Sequence, residues 1–219
     1  MRMYDYCILD FSDPAAVSDK AAKLGWGGLC VLDAESREGS KEKGKPCIDV
    51  AKGTIIEADK AATVRREALK RRRVFEVVAV RGLSDEANRA AVEAPAADIL
   101  LPGDDSRVDY VMVKLAKKNS VSIGFEFRQL LQSSGEDRSR IFSRMRATAK
   151  LVRKFGASFV ITSGAMSEWD LRAPSELIAF GRVLGFETPG ITKAISAWLI
   201  ERNRKRLGGK WVMPGVEVE

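Results

Sequence analysis

Histidine is absent from this chain of 219 residues. That removes the side chain that most often serves as a general base near neutral pH and most often ligates transition metals. A Ser or Cys nucleophile would then need a lysine as its base, and no such pair stands out by spacing. Cysteine is scarce too. Cys7, Cys30 and Cys47 are widely separated and odd in number, so neither a Cys-x-x-Cys zinc or redox centre nor a disulfide framework is indicated, and buried free thiols are the expectation. Three tyrosines and four tryptophans are too few beside the many cations to build a base-stacking platform for single strands. No long uncharged apolar run is available to cross a bilayer, and Met1 to Tyr6 has no apolar signal core. A cytoplasmic location away from membranes is expected. No Gly-rich phosphate loop follows the first strand candidate. Gly103, Gly124 and Gly164 are dispersed and read as backbone relief at turns or within a strand.

What the chain has in excess is positive charge, with 37 Lys and Arg against 30 Asp and Glu, a net charge of +7 that points to a polyanionic partner. Lys70, Arg71, Arg72 and Arg73 are contiguous. Adjacent cations repel one another unless an anion offsets them, so this run is expected to touch a polyanion. Arg138, Arg140, Arg144, Arg146, Lys150, Arg153 and Lys154 crowd a helix over 136–155. Its buried side is expected at Ile141, Met145, Ala149 and Val152, with Arg146, Lys150, Arg153 and Lys154 opposite. Arg202, Arg204, Lys205 and Arg206 end the last helix. Its apolar stripe of Ile191, Ile195, Trp198 and Leu199 is most simply a core face against the barrel; exposed, it would be a protein-docking face.

Short apolar runs alternate with longer amphipathic ones, the pattern of βα units around a parallel sheet. Strands are expected at 4–10, 28–33, 54–57, 74–80, 98–101, 121–125 and 159–162. Asp13 before Pro14 reads as a helix start, and Ser106 with Asp109 as a capping box. Gly25, Gly156, Gly185 and Gly208 read as helix stops. About seven strands fit a (β/α)8-like barrel better than an open doubly wound sheet, although no eighth is visible. One barrel domain is expected over 1–207 and a tail over 208–219 that packs, if at all, through Trp211 and Val212. Ser36 to Lys45 reads as a charged loop.

Barrels of this kind do chemistry at the C-terminal ends of their strands, where Asp10, Asp33, Glu57 and Glu126 fall. Carboxylates alone can hold magnesium, so a stand-alone metal-dependent phosphoesterase using these four acids is the alternative reading. Against it stands pairing of the acids with Arg81 and Arg128, or capping of the helices that follow.

The stretch Lys154 to Pro174, KFGASFVITSGAMSEWDLRAP, is the most specific part of the sequence. Ser163 to Ser167 followed by Asp170-Leu-Arg-Ala-Pro174 resembles the Ser-Asp-Ala-His and Asp-Leu-Arg-x-Pro signature of the ribonuclease P protein component 3 family, the archaeal and eukaryotic 30 kDa subunit family. Arg107 to Lys117, Asn119, Val121 to Leu131, the Arg-rich helix and Phe180 to Phe186 resemble the same family in the same order. One departure is clear: Gly164 and Met166 stand where the family often has aspartate and histidine, so nothing that relatives do with those side chains carries over. The resemblance implies a distorted TIM-like (β/α) barrel of the polymerase-and-histidinol-phosphatase type. It also implies a subunit that assists a catalytic RNA in removing the 5′ leader from precursor tRNA. The expected partners are ribonuclease P RNA, ribonuclease P protein component 2 and other protein subunits, and precursor tRNA. No cofactor is expected on this chain, with magnesium held at the RNA subunit. Arg81, Arg107, Lys114, Arg128 and Arg172 sit in or beside the matched motifs and join Lys70 to Arg73 as expected RNA contacts. No catalytic residue or metal ligand is expected. A scaffold that touches only proteins is a third reading.

Overall fold

A computed structural model describes residues 2–7, 14–32, 47–103, 106–208, 211–213 and 216–217. Strand and helix alternate in the order β1 (Tyr4–Cys7), α1 (Pro14–Lys23), β2 (Gly28–Val31), β3 (Asp49–Ala58), α2 (Ala61–Arg71), β4 (Val77–Gly82), α3 (Asp85–Glu93), β5 (Ile99–Pro102), α4 (Tyr110–Asn119) and β6 (Ser122–Glu126). They continue through α5 (Phe127–Gln132), α6 (Gly135–Phe155), β7 (Phe159–Thr162), α7 (Pro174–Val183), α8 (Thr188–Ala194) and α9 (Trp198–Leu207). Strands β1 to β7 form one parallel sheet in chain order, as expected of a barrel, with β1, β2 and β6 buried throughout and helices packed against the outside. The outer core packs Val31, Val78, Leu100 and Ile123 against the helices, while the inner core gathers Tyr4, Tyr6, Cys30, Val77, Ile99 and Val160.

Seven strands are one fewer than regular closure needs, and among the described residues no backbone ladder joins β7 to β1. Side chains span the seam instead. Asp5 on β1, fully buried, accepts from the Thr162 hydroxyl (2.9 Å) and the Ser163 amide (2.9 Å), and the Ser163 hydroxyl donates to its other oxygen. The same Thr162 hydroxyl is in hydrogen-bond contact with the Tyr6 carbonyl, so its one proton is shared between that oxygen and Asp5. Burial pushes the Asp5 carboxyl above its ordinary range, opposed by the donors on Ser163 and Thr162. Native Asp5 therefore holds its proton more tightly than the unfolded chain does. Its contribution to stability is fully present below the ordinary carboxyl value near ~4 and is lost as pH rises through the native value. Relative to Asp5→Asn, which does not ionise, the wild type should lose stability across that interval. Urea unfolding of both proteins at stepped pH checks this, and a pH-independent difference would refute it.

The strand-start pole is closed by α9. Leu199 and Ile200 are fully buried in the inner core, and the wider stripe of Ile191 and Ile195 is buried too, so the apolar stripe is a core face. Around this plug, acids at the strand starts meet the helix's arginines. Asp98, before β5, accepts from Arg202 (3.1 Å), from Arg72 and from the Val78 amide (2.9 Å). Arg204 pairs with Asp49 (2.5 Å) and Glu76 (2.5 Å), and Tyr4 donates to Asp49. Arg204 holds the Asp49 carboxyl below its ordinary range, while burial and that carboxylate push the Tyr4 phenol up to about 12.

The structure differs from the sequence reading at several points. Strand β3 begins at Asp49, five residues before Thr54, because its N-terminal half pairs with β2 and its C-terminal half with β4. Helix α4 is capped by Asp109, whose carboxylate accepts from the Met112 amide (2.7 Å). Ser106 instead donates to the Gly82 and Gly103 carbonyls in the preceding loop. Gly25, Gly156 and Gly185 have left-handed φ of 95°, 63° and 94°, but Gly208 stays at −66° and α9 ends without that turn. Cys7 and Cys30 are buried, whereas Cys47, at the approach to β3, is exposed. The tail contains an antiparallel pair, β8 (Trp211–Met213) with β9 (Val216–Glu217). Asp10, Asp13, Asp33, Ser36 to Lys45 and the side chains of Trp211 and Val212 lie outside the described residues.

Candidate nucleic-acid interface

Parallel strands place residues of equal depth at one mouth, and at the C-terminal mouth Glu57 ends β3 opposite Arg81 of β4, while Glu126 ends β6. The inward Arg81 guanidinium lies between the two carboxylates, 2.9 Å from Glu57 and 2.6 Å from the nearly buried Glu126. Gln129 donates to the other Glu126 oxygen at 3.1 Å. Of the two arginines expected to pair with the strand-end acids, Arg81 pairs with Glu57 and Glu126, whereas Arg128 lies 3.8 Å from Asp170 of the turn after β7. A cation is thus built covalently into the position where two mouth carboxylates converge. This donor set does not fit a divalent metal, because a bound ion would face a guanidinium sharing the same oxygens.

The signature turn after β7 follows from its own residues. Asp170 accepts from the Met166 amide (3.2 Å), the Ser167 amide (3.2 Å) and the Ser167 hydroxyl (3.1 Å), closing a tight loop. Gly164 takes φ +66°, and a side chain there would meet Arg128 Cβ at 3.2 Å and Glu126 Cβ at 3.3 Å. Ser163 is therefore a seam residue as well as a turn residue. Arg172 donates to the Trp169 (3.4 Å) and Leu171 (3.3 Å) carbonyls and braces its own turn, and Trp26 donates to its carbonyl at 2.8 Å. Arg128 lies 3.8 Å from Asp170, and its Nε is buried without a hydrogen bond.

The expected RNA contacts do not form one patch. Helical geometry splits the run 70–73. Lys70 and Arg73 are exposed, whereas Arg71 turns inward to Thr54 (2.6 Å) and the Ile55 carbonyl (2.9 Å), and Arg72 is locked to Asp98. Lys114 lies over the rings of Phe155 (5.1 Å) and Tyr110 (5.3 Å) on the α4–α6 surface. Arg81, Arg128 and Arg107 sit around the strand-end mouth. A cleft of about 480 Å3 there is lined by Arg81, Glu126, Arg128, Gln129 and Arg140, among others. A neighbouring cleft of about 450 Å3 is lined by Arg107, Val108, Arg140, Arg144, Ala147 and Thr148. Arg140 and Arg144 belong to the cationic crowd read from the sequence, yet only the fold singles them out. Their spacing of four residues was the available signal, since it aligns them on one helix face.

The model of the RNase P subunit p30 family matches residues 2–206. Ribonuclease P protein component 3 of Methanosarcina mazei is 34% identical over 230 residues, with 99% of this chain and 95% of that protein covered. The protein of the same name from Haloarcula marismortui is 33% identical over 176 residues, with 78% and 75% covered. In fold, the chain is similar to a chain in the cryo-electron microscopy structure of an archaeal ribonuclease P with mature tRNA, at TM-score 0.81 and 24% identity, with 98% and 97% covered.

Proposed function

The chain belongs to the RNase P subunit p30 family, and we propose from this that it acts within ribonuclease P as a protein subunit supplying cations to a catalytic RNA during removal of the 5′ leader from precursor tRNA. The observation that carries the reading is the Arg81 bridge, which puts a guanidinium between the mouth carboxylates Glu57 and Glu126. That bridge weighs against a metal activating water between these two acids and leaves contact with phosphate to cations outside it. In this reading the chain contributes no nucleophile, and magnesium is held by the RNA. Cationic side chains of the chain reduce the repulsion between catalytic RNA and substrate. Ribonuclease P protein component 2 and other protein subunits complete the assembly.

Two measurements test it. Reconstitution with and without this chain should show loss of precursor cleavage at physiological magnesium when the chain is omitted. Binding to the RNA across a salt series should give a log–log slope of about −5, the value for about six neutralised phosphates. A slope near zero would reject direct RNA contact and leave docking to protein as the mode of assembly. Phosphoesterase activity of the purified chain with added magnesium, abolished by Asp10→Asn, would favour the stand-alone enzyme instead.

A further inference from the structure

We propose that the cleft between α6 and the segment leading into α4 binds consecutive phosphodiesters of an RNA backbone through Arg107, Arg140 and Arg144. This rests on the RNA-contact reading above and assigns that contact a place. Among the described residues, the lining carries three guanidinium groups and no carboxylate. Among the described residues, neither Arg107 nor Arg144 has a carboxylate partner. Arg140 pairs with Asp137 at 3.1 Å, an exposed contact within one helix of the kind that contributes little to stability.

The cleft is positioned before any ligand arrives. The Arg107 amide donates to Asp85 (2.8 Å), and Asn88 donates to the Arg107 carbonyl (3.5 Å). On either side, the Ser106 hydroxyl is tied to two carbonyls and Asp109 caps α4. Backbone order is therefore in place beforehand, which lowers the entropy lost on binding. Arg144 is half-buried and also lines a small cavity with Met145 and Thr148, so its stem is packed while its charged end serves the cleft.

The walls define the ligand. Val108, Ala147 and Thr148 offer no aromatic ring on which a base could stack, so recognition is of backbone and independent of sequence. Arg140 also lines the mouth cleft that holds Arg81 and Arg128. Arg128 thus continues the cations beyond one cleft, beside Glu126 and Asp137 of the mouth lining, which suits an extended polyanion better than a small free phosphate.

The test measures binding of the full chain, separately, to ribonuclease P RNA and to precursor tRNA across a salt series. Arg107→Ala with Arg144→Ala should shrink the log–log slope by roughly 1.4 to 1.8, since each phosphate contact contributes about 0.7 to 0.9. The loss should appear with the RNA that occupies the cleft and be alike for unrelated sequences of that RNA. Lys23→Ala with Lys193→Ala, remote exposed cations, should leave the slope unchanged. A steep wild-type slope that the arginine pair leaves intact overturns the cleft but not the RNA-contact reading. A flat wild-type slope overturns both. A second measurement needs no variant: RNA should protect Arg107 and Arg144 of the wild type from phenylglyoxal several-fold, while exposed Arg89 on α3 continues to react. Equal labelling with and without RNA refutes the assignment.

Discussion

Asp98→Ala should lower the unfolding free energy by about 3–5 kcal/mol, the cost typical of removing one member of a buried charge cluster. For a chain of this size that corresponds to a fall in Tm of roughly 10 °C. Asp98 is 1% exposed and serves three donors, the guanidinium groups of Arg72 and Arg202 and the Val78 amide. Alanine would leave two cations and a buried N–H facing each other across the strand-start pole. It would also release α9, whose Leu199 and Ile200 plug the barrel. Because the partners are shared, Asp98→Ala combined with Arg202→Ala should cost less than the two single changes added together. Denaturant unfolding of the three variants gives the coupling directly. A loss below about 1 kcal/mol for Asp98→Ala would mean the pole is held by apolar packing alone.

Arg81→Met should destabilise the protein by about 3 kcal/mol, because Glu126, whose side chain is 6% exposed, would lose the Arg81 guanidinium. Adding Glu126→Gln in the same chain should recover more than half of that loss, since the neutral amide no longer needs a cation. The pair separates structure from function. If Arg81 also meets phosphate, the stable double variant should still bind RNA more weakly and with a shallower salt slope than the wild type. Full recovery of RNA affinity along with stability would show that Arg81 serves only the barrel. No recovery of stability by Glu126→Gln would show that the bridge does not hold the mouth.

The seven strands were readable because buried parallel strands need continuous apolar runs, and Val77 to Val80 or Phe159 to Thr162 have no other place to go. Most helix ends were equally legible from local residues, as at Gly156. Where two capping residues competed, as with Ser106 and Asp109, local pattern could not tell which hydroxyl or carboxylate faced the free amides. The stripe on the last helices was ambiguous for a similar reason: an apolar face looks the same whether its partner is the barrel or another protein.

The candidate site was only half legible. The identity of the cations, the absence of histidine and the convergence of acids at strand ends are properties of the chain order in a βα barrel. Which cations are free to meet a ligand depends on partners far away in sequence. Arg72 is claimed by Asp98, and Arg204 by Asp49 and Glu76, while Arg107 and Arg144 have no carboxylate partner among the described residues and line one cleft. By itself the sequence determined the barrel, its strand count and the excess of positive charge, because periodicity and composition act locally. Only the tertiary structure decided which charges are neutralised within the fold and which line its clefts, because a side chain's electrostatic partner is chosen by distance in space.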